Sequence, residues 1–140
     1  MYVYGFVRPT TGEVQWLLLP TVSTEAFRIA LDEFARAVGA SAQKRVLLVV
    51  DGAGWHVARE LRIPDGIRLL LLPAYSPELQ PAERMWPLLH EPLANRTVET
   101  LDDLEDSLVE RCRYLANVPE DIRPRVQYHW WPDDRRRANP

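Results

Sequence analysis

Two short, uninterrupted apolar runs constrain this chain more than any other feature. The first, "RVLLVVDG" (45–52), ends in an acid and a glycine, and the second, "IRLLLLP" (67–73), ends in a proline. Both fall far short of the ~18–20 residues of a membrane span and have the length of a strand. A run without polar alternation predicts a strand covered on both faces, as in the middle of an α/β sheet. In such sheets, ligands collect beyond the carboxyl ends of the strands. Asp51 and the segment after Pro73 therefore become the first places to look for chemistry.

The flanking sequence supplies the other elements. "YVYGFV" (2–7) and "EVQWLLL" (13–19) enclose the turn residues "RPTTG" (8–12), which predicts a β-hairpin. In "STEAFRIALDEFARAV" (23–38), Phe27, Leu31, Phe34 and Val38 recur at helical spacing between a Ser23 or Thr24 cap and Gly39. "WHVAREL" (55–61) reads as a short helical piece. Thr100 with Asp103 resembles a capping box that opens a helix near 101–116, with a buried stripe of Leu101, Leu104, Leu108, Cys112 and Leu115. The end, "VQYHWWPDD", reads as a short extended segment. This order predicts a mixed α/β sandwich in one domain spanning 1–140, with 132–140 a flexible tail.

Composition narrows the class. With 140 residues, 46% of them apolar, the chain can bury one core. Twelve prolines favour short elements and firm turns. The single cysteine, Cys112, excludes an internal disulfide and a multi-cysteine zinc site. The N-terminus lacks the layout of a signal peptide, so a reduced, cytoplasmic setting is expected. A net charge of −3 argues against strong nucleic-acid affinity by this chain alone. Lys44 is the only lysine among seventeen basic residues; the arginine excess suits phosphate contacts and equally fits a coding-composition effect.

Asp51 ends one apolar run. Glu83 follows the other, after a turn. Pro81 suits a first helical position, which puts Glu83 in the first turn at the positive end of the helix dipole. Pro87 cannot donate to the Glu83 carbonyl, so the helix should kink or break there. Two carboxylates on neighbouring strand ends suit a hard cation such as Mg²⁺. The residues alone leave a second reading open, in which Asp51 caps a turn and Glu83 stabilises a helix start.

"DGAGWH" (51–56), the strand "IRLLLLP", and "AYSPELQPAERMW" (74–86) together resemble the second half of a DDE transposase catalytic core. The match is to the mariner-like bacterial insertion-sequence transposases, the group with a DDE superfamily endonuclease domain. Asp51, His56, Tyr75, Ser76, Pro77, Glu78, Leu79, Pro81, Glu83 and Trp86 fall on that group's pattern, and the hairpin and the late "HWWP" are similar too. The resemblance implies a ribonuclease-H-like mixed sheet with flanking helices. It implies DNA cleavage and strand transfer at transposon ends, with carboxylates holding two Mg²⁺ or Mn²⁺ ions. Asp51 and Glu83 would be the second and third acids of the triad, with His56 beside them. Tyr75, Ser76 and Gln80 would touch the DNA backbone.

The chain also departs from the pattern. The triad's first Asp belongs on the first strand of that fold, which precedes the hairpin in sequence and lies centrally in the sheet between the second strand and the one carrying Asp51; this chain starts inside what resembles the second strand. Glu13, Glu25, Asp32 and Glu33 do not sit where that acid belongs. Gly52, Gln80 and Ala82 replace the group's usual Asn, Asn and Ile. The expectation is a catalytic-core fragment with weak or no activity alone. The alternative is a decayed or repurposed non-enzymatic remnant that dimerises through its orphaned strand edges.

Overall fold

The computed structural model describes residues 1–52, 59–73, 76–128 and 131. The expected helical piece at 55–61 and the 132–140 tail fall wholly or mostly outside them, as do His56, Tyr75 and Trp130. The chain is a mixed α/β protein that divides into two compact units, one of Met1–Tyr4 and Leu17–Gln80, the other of Gly5–Trp16 and Pro81–Pro140.

The hairpin strands β1 (Tyr2–Val7) and β2 (Val14–Leu19) thread both units. The connection closes where the Arg8 N–H donates to the Glu13 carbonyl at 2.8 Å. The Thr11 and Gly12 N–H groups both donate to the Arg8 carbonyl, and Gly12 takes a φ of 81°, the left-handed region open to glycine.

In the first unit, helix α1 (Thr24–Val38) starts where the Ser23 hydroxyl accepts the Ala26 N–H at 3.0 Å. It stops at Gly39 in the left-handed conformation, where the Ala40 N–H donates back to the Ala35 carbonyl. Its buried face is Ala26, Phe27, Ala30, Leu31, Phe34 and Ala35. Strands β3 (Val46–Val50) and β4 (Ile67–Leu71) pair in parallel, Val46 opposite Ile67 through Val50 opposite Leu71. Gly66, just ahead of β4, has a φ of 86° and approaches Ser41 so closely that a β-carbon would stand 2.5 Å from the Ser41 backbone.

Among the described residues the strands form two two-stranded sheets, β1–β2 and β3–β4. One expectation is corrected here: the parallel pair is not covered on both faces. Paired residues share a face and successive residues alternate. Val50 and Ile67 lie on the covered face, whereas Leu47 and Leu70, on the other, are 59% and 48% exposed. The apolar runs encode strands correctly, but how many faces are covered depends on which layers pack on the sheet, and no local pattern carries that.

In the second unit, a 3₁₀ helix (Pro81–Met85) runs directly into α2 (Trp86–His90). The change from 3₁₀ to α falls beside Pro87, where a break is expected. Helix α3 (Leu101–Ala116) begins at Thr100, whose hydroxyl accepts the Asp103 N–H at 3.1 Å. The expected stripe holds at Cys112 and Leu115, which are buried, but Leu101 is 84% exposed. It is the first residue of the helix, and packing deepens only toward the other end. Arg111 Nε donates to the Leu88 carbonyl at 2.9 Å, tying α3 to α2.

Helix α4 (Pro119–Val126) stands where part of an extended end was expected, and Val126 belongs to it. Its signals are Pro119 at the first position with Glu120 and Asp121 behind it. Ile122 and Val126, one turn apart, are fully buried. Helix α4 packs on the Pro81–Met85 turn and on α3, closing a core with Met85, Leu88, Leu89, Cys112 and Leu115. Trp86 meets Trp16 edge to face, with ring centroids 5.9 Å apart. Among the described residues no helix is long and apolar enough to cross a membrane.

Candidate functional site

Asp51 leaves β3 at its carboxyl end. The Leu72 N–H donates to the Val50 carbonyl at 2.8 Å, so the parallel pairing is held up to the residue before the acid. The next two residues, Asp51 and Gly52, are exposed. Because β3 and β4 are parallel, the segment after Leu71 emerges at the same sheet end as Asp51. This is the end at which open α/β sheets gather ligands.

Ser76 precedes a 3₁₀ turn, Pro77–Leu79, in which the Leu79 N–H donates to the Ser76 carbonyl and the Gln80 N–H to the Pro77 carbonyl. Gln80 is extended, and both Ser76 and Gln80 are half-buried. Asp51, Ser76 and Gln80 thus belong to one compact unit. His56 and Tyr75, the other expected contributors, lie outside the described residues.

Glu83 belongs to the second unit, at the middle of the Pro81–Met85 3₁₀ helix. Pro81 and Met85 are buried and anchor the turn, leaving Glu83 and Arg84 exposed between them. Pro81 starts the turn and Glu83 is in its first turn, as the sequence implies; the helix type is 3₁₀ rather than α.

Arg84 is a residue the sequence reading passed over. Its guanidinium lies over the ring of Tyr128, 5.2 Å from the centroid. Tyr128 follows the end of α4, where the Gln127 N–H donates to the Arg123 carbonyl. The visible signal was a permanent cation next to Glu83. The tyrosine under it could not be read from spacing.

Asp51 and Glu83 are the carboxylates of the motif, and an all-oxygen donor set suits a hard divalent cation. Among the described residues, no three His, Cys, Asp or Glu side chains cluster as a metal-holding group. Three acids earlier in the chain are engaged elsewhere on α1. Glu25 and Asp32 both pair with Arg28, at 2.6 and 2.9 Å, and Glu33 pairs with Arg36 at 2.6 Å. The Arg28 hydrogen bond holds the Glu25 carboxyl below its ordinary pKa.

The sequence profile described as DDE superfamily endonuclease matches residues 1–105, from the hairpin into α3 and through both motif carboxylates. The uncharacterized protein y4pE/y4sA of Sinorhizobium fredii (strain NBRC 101917 / NGR234) is 40% identical over 119 residues, which cover 84% of this chain and 87% of that protein. No solved structure gives a significant match.

Proposed function

Because the chain belongs to the DDE superfamily endonuclease family, we propose that it carries part of the catalytic core of a DNA transposase of the mariner-like insertion-sequence kind. The reaction class is cleavage and strand transfer at phosphodiester bonds, and the partner is DNA at transposon ends. In this reading it works in the bacterial cytoplasm, at the nucleoid. The observation that carries the proposal is the pair of motif carboxylates: Asp51 exposed at the carboxyl end of a parallel strand, Glu83 exposed on a turn pinned by buried Pro81 and Met85.

Asp51 and Glu83 would hold the divalent ions, Mg²⁺ or Mn²⁺. When bound, such ions activate the attacking water or 3′-hydroxyl and neutralise charge in the in-line displacement. The remaining work falls to the chain. Ser76 and Gln80, which flank the Pro77–Leu79 turn, donate to phosphate oxygens, and Tyr75 and His56 add to that contact. Gly52 carries no side chain to order the site, and Asp51 stands at the strand end. Glu25, Asp32 and Glu33 are paired on α1 and do not serve as the first acid of the triad in this reading. Strand cleavage by Asp51 and Glu83 alone is at most a trace.

Divalent-dependent DNA binding tests the proposal. Mn²⁺ is expected to tighten binding of a labelled duplex, measured by fluorescence anisotropy, and Asp51→Ala and Glu83→Ala are expected to abolish the tightening. Absence of DNA binding, or a Mn²⁺ effect that persists in both variants, contradicts it.

A further inference from the structure

We infer that Arg84 is a DNA-phosphate-binding residue, held ready beside Glu83 by the ring of Tyr128. The inference rests on the transposase reading for the identity of the ligand. Its own support is the geometry around Arg84.

Three observations converge. Arg84 directly follows Glu83 on a turn whose buried anchors, Pro81 and Met85, fix the backbone. Successive residues of a 3₁₀ helix point about a third of a turn apart. The two exposed side chains therefore leave the same short turn in different directions, an acid and a cation on one fixed element. Next, the guanidinium lies over Tyr128 at 5.2 Å from the ring centroid. This contact attracts the cation through the π face of the ring without using its N–H donors in hydrogen bonds. It also restricts a long side chain before any ligand arrives, which lowers the ordering cost of binding. Lastly, Arg84 makes no hydrogen bond and no ion pair among the described residues. By contrast, Arg28 and Arg36 on α1 are paired with carboxylates. A cation with no such pairing among the described residues, held over a ring one residue from the acid proposed to bind metal, suits an oxyanion. A DNA phosphate flanking the scissile bond is such a group, since phosphate takes Arg bidentately.

The test is equilibrium binding of an end-labelled duplex of arbitrary sequence to the full chain, by anisotropy, across a salt series with Mg²⁺ present. Arg84→Gln is expected to weaken binding roughly three- to tenfold, and to reduce the slope of log K against log salt by about 0.9, the loss of one phosphate contact. Arg84→Lys keeps the charge, so it should retain the slope while losing part of the affinity. Tyr128→Leu frees the side chain and should fall between wild type and Arg84→Gln. Arg36→Gln, which removes an arginine paired on α1, should leave both affinity and slope unchanged. If wild type binds DNA and Arg84→Gln matches it in affinity and slope, this inference is overturned and the transposase reading stands. If wild type binds no DNA, the transposase reading falls and takes this inference with it.

Discussion

Gly12 lies against Pro119. A β-carbon built on Gly12 would stand 2.1 Å from the Pro119 carbonyl oxygen and 2.7 Å from the Arg123 nitrogen, both in α4. The hairpin turn and the start of α4 are therefore packed backbone to backbone, at a site where φ is 81°. Gly12→Ala meets two penalties at once: the left-handed conformation, roughly 1–2 kcal/mol for a residue with a β-carbon, and the clash. The expected loss is at least about 2 kcal/mol, read as a lower urea midpoint.

The leucines separate packing from pattern. Leu89 is fully buried, whereas Leu101, an expected core position, is 84% exposed. Leu89→Ala should cost roughly 2–5 kcal/mol. Leu101→Ala should stay within about 0.5 kcal/mol of wild type, as for ordinary surface changes. A large loss at Leu101 in urea titration would contradict the exposed placement.

The start of α3 depends on one hydroxyl. Thr100 accepts the Asp103 N–H, satisfying one of the donors that a helix start leaves unpaired. Thr100→Ala is expected to cost about 1 kcal/mol, with Thr100→Ser near neutral. Comparing the two melting temperatures tests the cap without disturbing the core.

Burial pushes the Cys112 thiol from its ordinary value of 9.0 up to about 11. The native state therefore keeps the proton at a pH where the unfolded chain has lost it. The sign follows from linkage: this contribution to stability is complete below about pH 9 and is lost as pH rises toward about 11. The native protein should react slowly with a thiol reagent at pH 8 and fully in urea. In Cys112→Ala, the fall in stability between those pH values should be shallower.

Local physics made much of the fold legible. The α1 and α3 boundaries follow from Ser23, Gly39 and Thr100, whose caps involve residues close in sequence. The hairpin follows from turn chemistry at 8–12, and β3 and β4 from their apolar runs. Helix α4 was not legible, because Pro124 sits inside it and only Ile122 and Val126 mark its buried side. That helix is stabilised by what packs on it. The exposure of Leu47 and Leu70 was hidden for the same reason, being a property of layers rather than of strands. In the site, the strand-end position of Asp51 and the helical turn of Glu83 could be read from order and spacing. The stack of Arg84 on Tyr128 could not, since it joins residues brought together only by the packing of α4 on the Pro81–Met85 turn.

The central claim is that Asp51 and Glu83 are ligands for a divalent cation, and direct Mn²⁺ binding to the full chain tests it. Electron paramagnetic resonance counts free Mn²⁺ as protein is added. Wild type is expected to bind Mn²⁺ in competition with Mg²⁺. Asp51→Ala and Glu83→Ala are each expected to weaken that binding at least about tenfold, since even groups that only support a metal ligand cost that much when removed. Mn²⁺ binding of equal strength in wild type and both variants would contradict the claim.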